Sequence, residues 1–164
     1  MKQSNTTQTP VNLSDVKSID AIISASYETI SGKAGEKRDW ERMRLLFAPN
    51  ARLIPSNKLA GVRAPDGQTP EPLNVEQYIA RVTDFFDKNG FFETEVARRA
   101  EQYDRIAHAF STYESRHNAD DPQPFMRGIN SFQLFHDGRR WWILNIFWQQ
   151  ENLEKPIPDR YLAR

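Results

Sequence analysis

Residues 127–150, RGINSFQLFHDGRRWWILNIFWQQ, leave this chain few choices of fold. Asp137-Gly138 is the signal of a tight turn, because a primed hairpin turn needs positive φ at both central positions and this dipeptide tolerates it. Aromatic and branched residues flank it on both sides, so the stretch reads as a long β-hairpin. A two-residue turn sets Leu134 opposite Trp141, Phe132 opposite Ile143 and Asn130 opposite Asn145; a longer loop through Arg139 and Arg140 slides these pairs and keeps their parity. One face then carries Asn130, Phe132, Leu134, Trp141, Ile143, Asn145 and Phe147. The other carries Ile129, Ser131, Gln133, Phe135, Trp142, Leu144, Ile146 and Trp148. Both faces are largely apolar, whereas a strand wet on one side alternates apolar with polar residues. The hairpin is therefore expected to be covered twice, by helices of its own chain and by something else.

A chain of 164 residues, 38% hydrophobic and 12% aromatic, has enough apolar surface for one domain with one core. Its 22 Lys and Arg balance 22 Asp and Glu, which removes the basic footprint of a nucleic-acid binder. No window is long and apolar enough to span a bilayer, and the N-terminus MKQSNTTQTPVNLSD lacks the apolar centre of a secretory signal, so a cytoplasmic location is the expectation. With no cysteine, thiolate catalysis and Cys-ligated zinc are excluded.

Residues 1–13 read as a disordered or loosely docked arm, residues 14–150 as the domain and residues 151–164 as an extended tail with apolar anchors at Tyr161 and Leu162, able to dock on a neighbour. Ser14 or Asp15 can cap a helix whose stripe is Val16, Ile19, Ile23, Tyr27 and Ile30, ending at Ser31-Gly32. Asp39 caps a second, with Trp40, Met43, Leu46 and Phe47 inward, stopped by Pro49-Asn50. Residues 51–55 read as a short strand. The proline- and glycine-bearing stretch after it reads as a loop, with one poor strand near residues 59–63. Asn74 and Gln77 form a capping box for a third helix with Val75, Tyr78, Ile79, Val82, Phe85 and Phe86 inward, ended by a left-handed cap at Asn89-Gly90. Residues 91–102 read as a partly exposed strand, with a helix over 94–103 as the alternative. Residues 106–116 form a better strand, with His108, Phe110, Thr112 and Glu114 on one side and Ala107, Ala109, Ser111 and Tyr113 on the other.

Three helices followed by a mostly antiparallel sheet make an α+β pattern. That order, with LLFAPNARL, IAHAFSTYESR and DGRRWWILNIFWQ in sequence, resembles the nuclear transport factor 2-like superfamily, which includes SnoaL-like polyketide cyclases, ketosteroid isomerase and scytalone dehydratase. The resemblance covers about residues 16–150. It implies a curved sheet wrapped around three N-terminal helices as a cone-shaped α+β barrel, with an apolar pocket between sheet and helices. It also implies a homodimer through the outer sheet face, which here is Trp142, Leu144, Ile146 and Trp148.

Candidate chemistry is sparse. Tyr27, on the inner helical stripe, can point a hydroxyl into a pocket or serve as an ordinary core tyrosine. Asp39 has a sufficient role as a cap, and the acid of the ketosteroid isomerase arrangement, a carboxylate base beside a tyrosine and a protonated Asp, transfers cleanly to no residue. His108 becomes a general base if its face looks inward, and otherwise is a histidine satisfied by a backbone carbonyl. Glu93, Glu95, Arg98, Arg99, Glu101, Glu114 and Arg116 read as cross-strand ion pairs on a solvated surface or dimer rim. Asn130 and Asn145 either pair with each other or orient a ligand, in a pocket lined by Trp40, Phe47, Phe85, Phe86, Phe132 and Trp141. Three scattered histidines give no metal site, and no phosphate loop or nucleophile elbow calls for a cofactor. Two functions remain: a domain that binds a small apolar molecule, with cofactor-free isomerase, dehydratase or cyclase chemistry through His108 or Tyr27, and a non-catalytic dimerisation or interaction module with a filled core.

Overall fold

The computed structural model describes residues 10–59, 62–63 and 65–163; residues 1–9 of the expected arm lie outside the described residues. Two helices stand where one was expected between residue 14 and Ile30. Asn12 accepts from the Ser14 N–H at 3.1 Å to start α1 (Leu13–Val16), and Ser18 accepts from the Ala21 N–H at 3.1 Å to start α2 (Ile19–Ile30). A serine oxygen that satisfies a first-turn N–H can do so only at a helix start, so Ser18 breaks the run. Asp15, freed from capping, turns inward and binds Arg42 twice, at 2.8 and 3.0 Å.

Asp39 does cap α3 (Trp40–Leu46), accepting from the Arg42 N–H at 2.9 Å. Phe47 is not the end of that helix. It is already extended and opens β1 (Phe47–Pro55), with Pro49 in the irregular part between the paired residues Phe47 and Arg52, where a missing N–H costs no ladder bond. The weak strand near residues 59–63 becomes a two-stranded ribbon, β2 (Asn57–Leu59) with β3 (Val62–Arg63). The Asn74/Gln77 capping box opens α4 (Val75–Lys88), with both reciprocal bonds at 2.8 Å. Its far end has no left-handed cap: Asn89 is extended, and its side chain donates back to the Phe85 carbonyl at 3.0 Å.

Four long strands follow: β4 (Phe92–Tyr103), β5 (Ile106–Arg116), β6 (Met126–His136) and β7 (Trp141–Gln150). With β1 they form one sheet in the order β1-β7-β6-β5-β4, antiparallel except that β1 runs parallel to β7. This is an α+β cone whose mixed sheet is curled around α2, α3 and α4 but not closed, so the barrel of the expectation is open. No helix among the described residues is long and apolar enough to cross a membrane.

The hairpin turns through residues 137–140, with His136 opposite Trp141, so the loop is longer than the tight turn and Leu134 meets Ile143. Up to that pair the parity is the expected one. It then changes, because Leu144 is an extra residue: Gln133 pairs with Asn145, Phe132 with Ile146 and Asn130 with Trp148. A bulge swaps the faces of everything beyond it. Ile146 and Trp148 therefore look into the cone, and Asn145 looks out beside Gln133, the reverse of the expected assignment. A second bulge at Val96, between Glu95 and Ala97, does the same in β4. Glu95 and Arg98, three apart, would otherwise point to opposite faces and instead share one.

The tail packs on the sheet of its own chain. Thr112 on β5 donates through Oγ1 to the Tyr161 carbonyl at 2.6 Å, Phe110 packs against the Tyr161 ring at 5.7 Å, and Arg99 donates to the Arg160 carbonyl at 3.1 Å. It covers part of the outer face of β4 and β5.

Candidate functional site

A cavity of about 560 Å³ lies between the concave face of the sheet and helices α2 and α4. Its wall is mostly apolar and aromatic: Phe47 and Leu53 from β1, Phe85 and Phe86 from α4, Phe132 from β6, and Ile146 and Trp148 from β7. Phe91, Phe125 and His117 stand at one end, the His117 ring stacked on Phe125 at 4.0 Å with its Nδ1 3.0 Å from the Gly90 carbonyl oxygen.

Of the expected pocket residues, Tyr27, Phe47, Phe85, Phe86, Asn130 and Phe132 line this cavity. Trp40 does not; it stacks behind the wall on Phe86, with ring centres 6.1 Å apart. Trp141 is buried in the core beside His136, also outside the lining. Asn145 faces away, so the Asn130–Asn145 bridge does not form. His108 sits on the outer face with its side chain 52% exposed, its Nε2 3.1 Å from Glu101. Ala107, Ala109, Ser111 and Tyr113 are the inward residues of β5, which removes His108 from any chemistry in the cavity.

The polar centre is a residue expected at the surface. Glu93, the second residue of β4, is buried and faces the cavity. Ser115 donates to its Oε2 at 2.9 Å and Asn130 Nδ2 to its Oε1 at 3.3 Å. Those two neutral donors only partly offset burial, which pushes the carboxyl up from 4.5 to about 7. The hydroxyls of Tyr27, Tyr78 and Tyr113 are also driven far above their ordinary value, by burial first and the Glu93 charge second.

The proton directions in this wall follow from its far end. Arg98 binds Glu95 through Nε and Nη2, at 2.9 and 2.7 Å, and also holds Asp20. Ser111 donates its single proton to Glu95 Oε2. Ser111 Oγ is left to accept from the Tyr27 hydroxyl at 2.6 Å. With its one proton committed, the Tyr27 oxygen can only accept in turn, which orients the Asn130 amide with Nδ2 toward Tyr27 at 3.1 Å and toward Glu93. Tyr27 thus positions Asn130 and has no proton to give a ligand. Glu93 is the carboxyl in the cavity wall, and burial brings its charge change to about neutral pH.

Among the described residues no cluster of His, Asp and Glu could hold a metal ion.

No protein-family model and no curated protein matches the sequence. Solved structures do. An uncharacterised protein with a cystatin-like fold from Caulobacter vibrioides superposes with a TM-score of 0.56 at 16% identity, over 84% of this chain and 90% of that one. A nuclear transport factor 2-like protein of unknown function from Silicibacter pomeroyi gives 0.51 at 16% identity, over 81% and 92%. A Parabacteroides distasonis protein provisionally named a ketosteroid isomerase gives 0.53 at 12% identity, over 92% and 96%. At these identities the likeness is one of fold, and the fold is nuclear transport factor 2-like.

Proposed function

We propose that this chain, on a nuclear transport factor 2-like fold, binds a small, largely apolar molecule in its cone and exchanges a proton with it through Glu93. The observation that carries the reading is a cavity of about 560 Å³ with an aromatic wall and one buried carboxyl facing it. The space left between those side chains supports a binding site over a filled core. A carboxyl held near 7 can both take and give a proton at neutral pH, which suits isomerisation, dehydration or cyclisation without a cofactor.

Val82 lines the cavity from α4, and Val82→Trp projects a bulky ring into it. Gently purified wild-type protein, sprayed in native mass spectrometry, is expected to carry a small molecule that the variant lacks. Identical ligand-free masses, with no response of either protein to a panel of apolar compounds, would sink the reading. For a substrate identified this way, Glu93→Gln should lower turnover about a hundredfold or more, whereas His108→Ala, on the outer face, should leave it intact. Wild-type turnover by Glu93→Gln would end the catalytic part of the proposal.

We also propose a homodimer through the outer face. Of the four residues expected there, Ile146 and Trp148 turn inward and only Trp142 and Leu144 remain. Beside them Ile106 and Phe147 are exposed, which keeps the strip apolar. Phe147→Glu is expected to convert a dimer to a monomer in analytical ultracentrifugation; a wild-type protein that sediments as a monomer at high concentration counts against it.

A further inference from the structure

Two of the donors that could polarise a ligand carbonyl, Tyr27 and Asn130, are already committed. Tyr27 gives its proton to Ser111, and both Asn130 amide protons go to Tyr27 and Glu93. Tyr78 and Tyr113 also line the cavity, but each hydroxyl can give or take a hydrogen bond, so neither decides the polarity of the site. Glu93 decides it. Its carboxylate has two neutral donors and, among the described residues, no ion-pair partner, in a wall of Tyr, Phe and Trp rings. A buried carboxylate of that kind is uncompensated, and aromatic faces favour cations over anions.

We propose that the occupant is an apolar molecule bearing a single hydrogen-bond-donating head group, an alkyl or arylalkyl amine whose ammonium is received by Glu93 while its hydrocarbon body fills the cone. This rests on the cavity reading above and names the ligand class for the same site. A protonated amine supplies the cation that Glu93 lacks, and the charge-assisted bond it forms is the strong kind. A carboxylic acid would set two carboxylates together. The basic side chains at the cavity are Arg81 of α4 and His117 after β5, so an acid directed to them is the competing outcome.

The test is a naphthyl series with one skeleton and four head groups: naphthylmethylamine, naphthylmethanol, methylnaphthalene and naphthoic acid, titrated into the full chain by protein NMR at about pH 8, where Glu93 is mostly ionised and the amine is protonated. The amine is expected to bind about tenfold or more tighter than methylnaphthalene, with the alcohol between them and the acid weakest. Glu93→Gln is expected to erase the gap between amine and hydrocarbon. An amine that binds no tighter than methylnaphthalene or the alcohol, or an acid that binds tightest, overturns the ligand class while leaving the cavity reading standing. Failure of all four to bind removes both.

Discussion

Replacing Glu93 by Gln is expected to raise the melting temperature by several degrees at about pH 8.5 and to leave it nearly unchanged at about pH 4. Gln keeps the bond from Asn130, and the Ser115 hydroxyl can reverse to accept from the new amide. What the substitution removes is a charge that burial opposes. The folded carboxyl sits at about 7 against 4.5 for an ordinary glutamate, so the protonated form is the one the fold favours. The group carries no charge penalty below about pH 4.5, and stability is lost as the pH climbs through about 7, to a total on the order of 3 kcal/mol. For a chain of this length that is about 6–12 °C at most, and the imperfect fit of the amide reduces it. The measurement is the difference between the two melting curves across pH, in which titrations common to both proteins cancel. Two curves that stay parallel across that range would mean that Glu93 reaches water.

Gly90→Ala is expected to cost about 2–4 kcal/mol, read as a lower urea midpoint with an unchanged slope. Gly90 joins α4 to β4, and a Cβ placed on it would overlap the backbone carbonyl oxygen of His117, with the Ala34 nitrogen 3.8 Å away. The obstacle is main chain, not a side chain that can rotate aside. To admit a methyl group, the turn after α4 must part from the loop after β5, stretching the 3.0 Å contact between His117 Nδ1 and the Gly90 carbonyl. The same displacement loosens the His117–Phe125 stack at the end of the cavity, so faster amide exchange over residues 117–125 should accompany the loss. Gly67→Ala is the control: its φ is +82°, but nothing lies within 4 Å, and only backbone strain of about 1 kcal/mol is expected. A Gly90 variant no weaker than this control would show that the two backbones can separate freely.

The elements that sequence reading located are those written in local chemistry. The Asn74/Gln77 box, the Asp39 cap and the alternation of residues 106–116 each act within a few positions, and each appears in place. The fold class followed from their order. The site was only half legible because two bulges intervene between pattern and face. Parity counted outward from Asp137-Gly138 is right as far as Ile143 and inverted from Asn145 onward, which exchanges Asn145 for Trp148 in the wall. Glu93 was hidden among charged neighbours of β4, where Glu95, Arg98, Arg99 and Glu101 read as one wet surface. Its burial comes from Ser31, Ser115 and Asn130, which approach from three distant parts of the chain. One signal was available: Glu93 falls in the strand that follows α4, opposite Ser115 and on the side of Tyr113, where a small hydroxyl and an inward aromatic leave space for a carboxyl. His108 fits a catalytic role by residue type alone, and its neighbours Ala107 and Ala109, small and inward, mark the opposite face as the covered one.

The inward turn of Trp148 has an optical consequence. Of the four tryptophans, Trp142 is held outside by Asp137 and Arg140, Trp141 is locked in the core, and Trp40 stands behind Phe86; Trp148 alone touches the cavity, edge-on to Tyr78 at 6.2 Å. Its emission is a spectroscopic gauge of whether the cone is wet, dry or occupied.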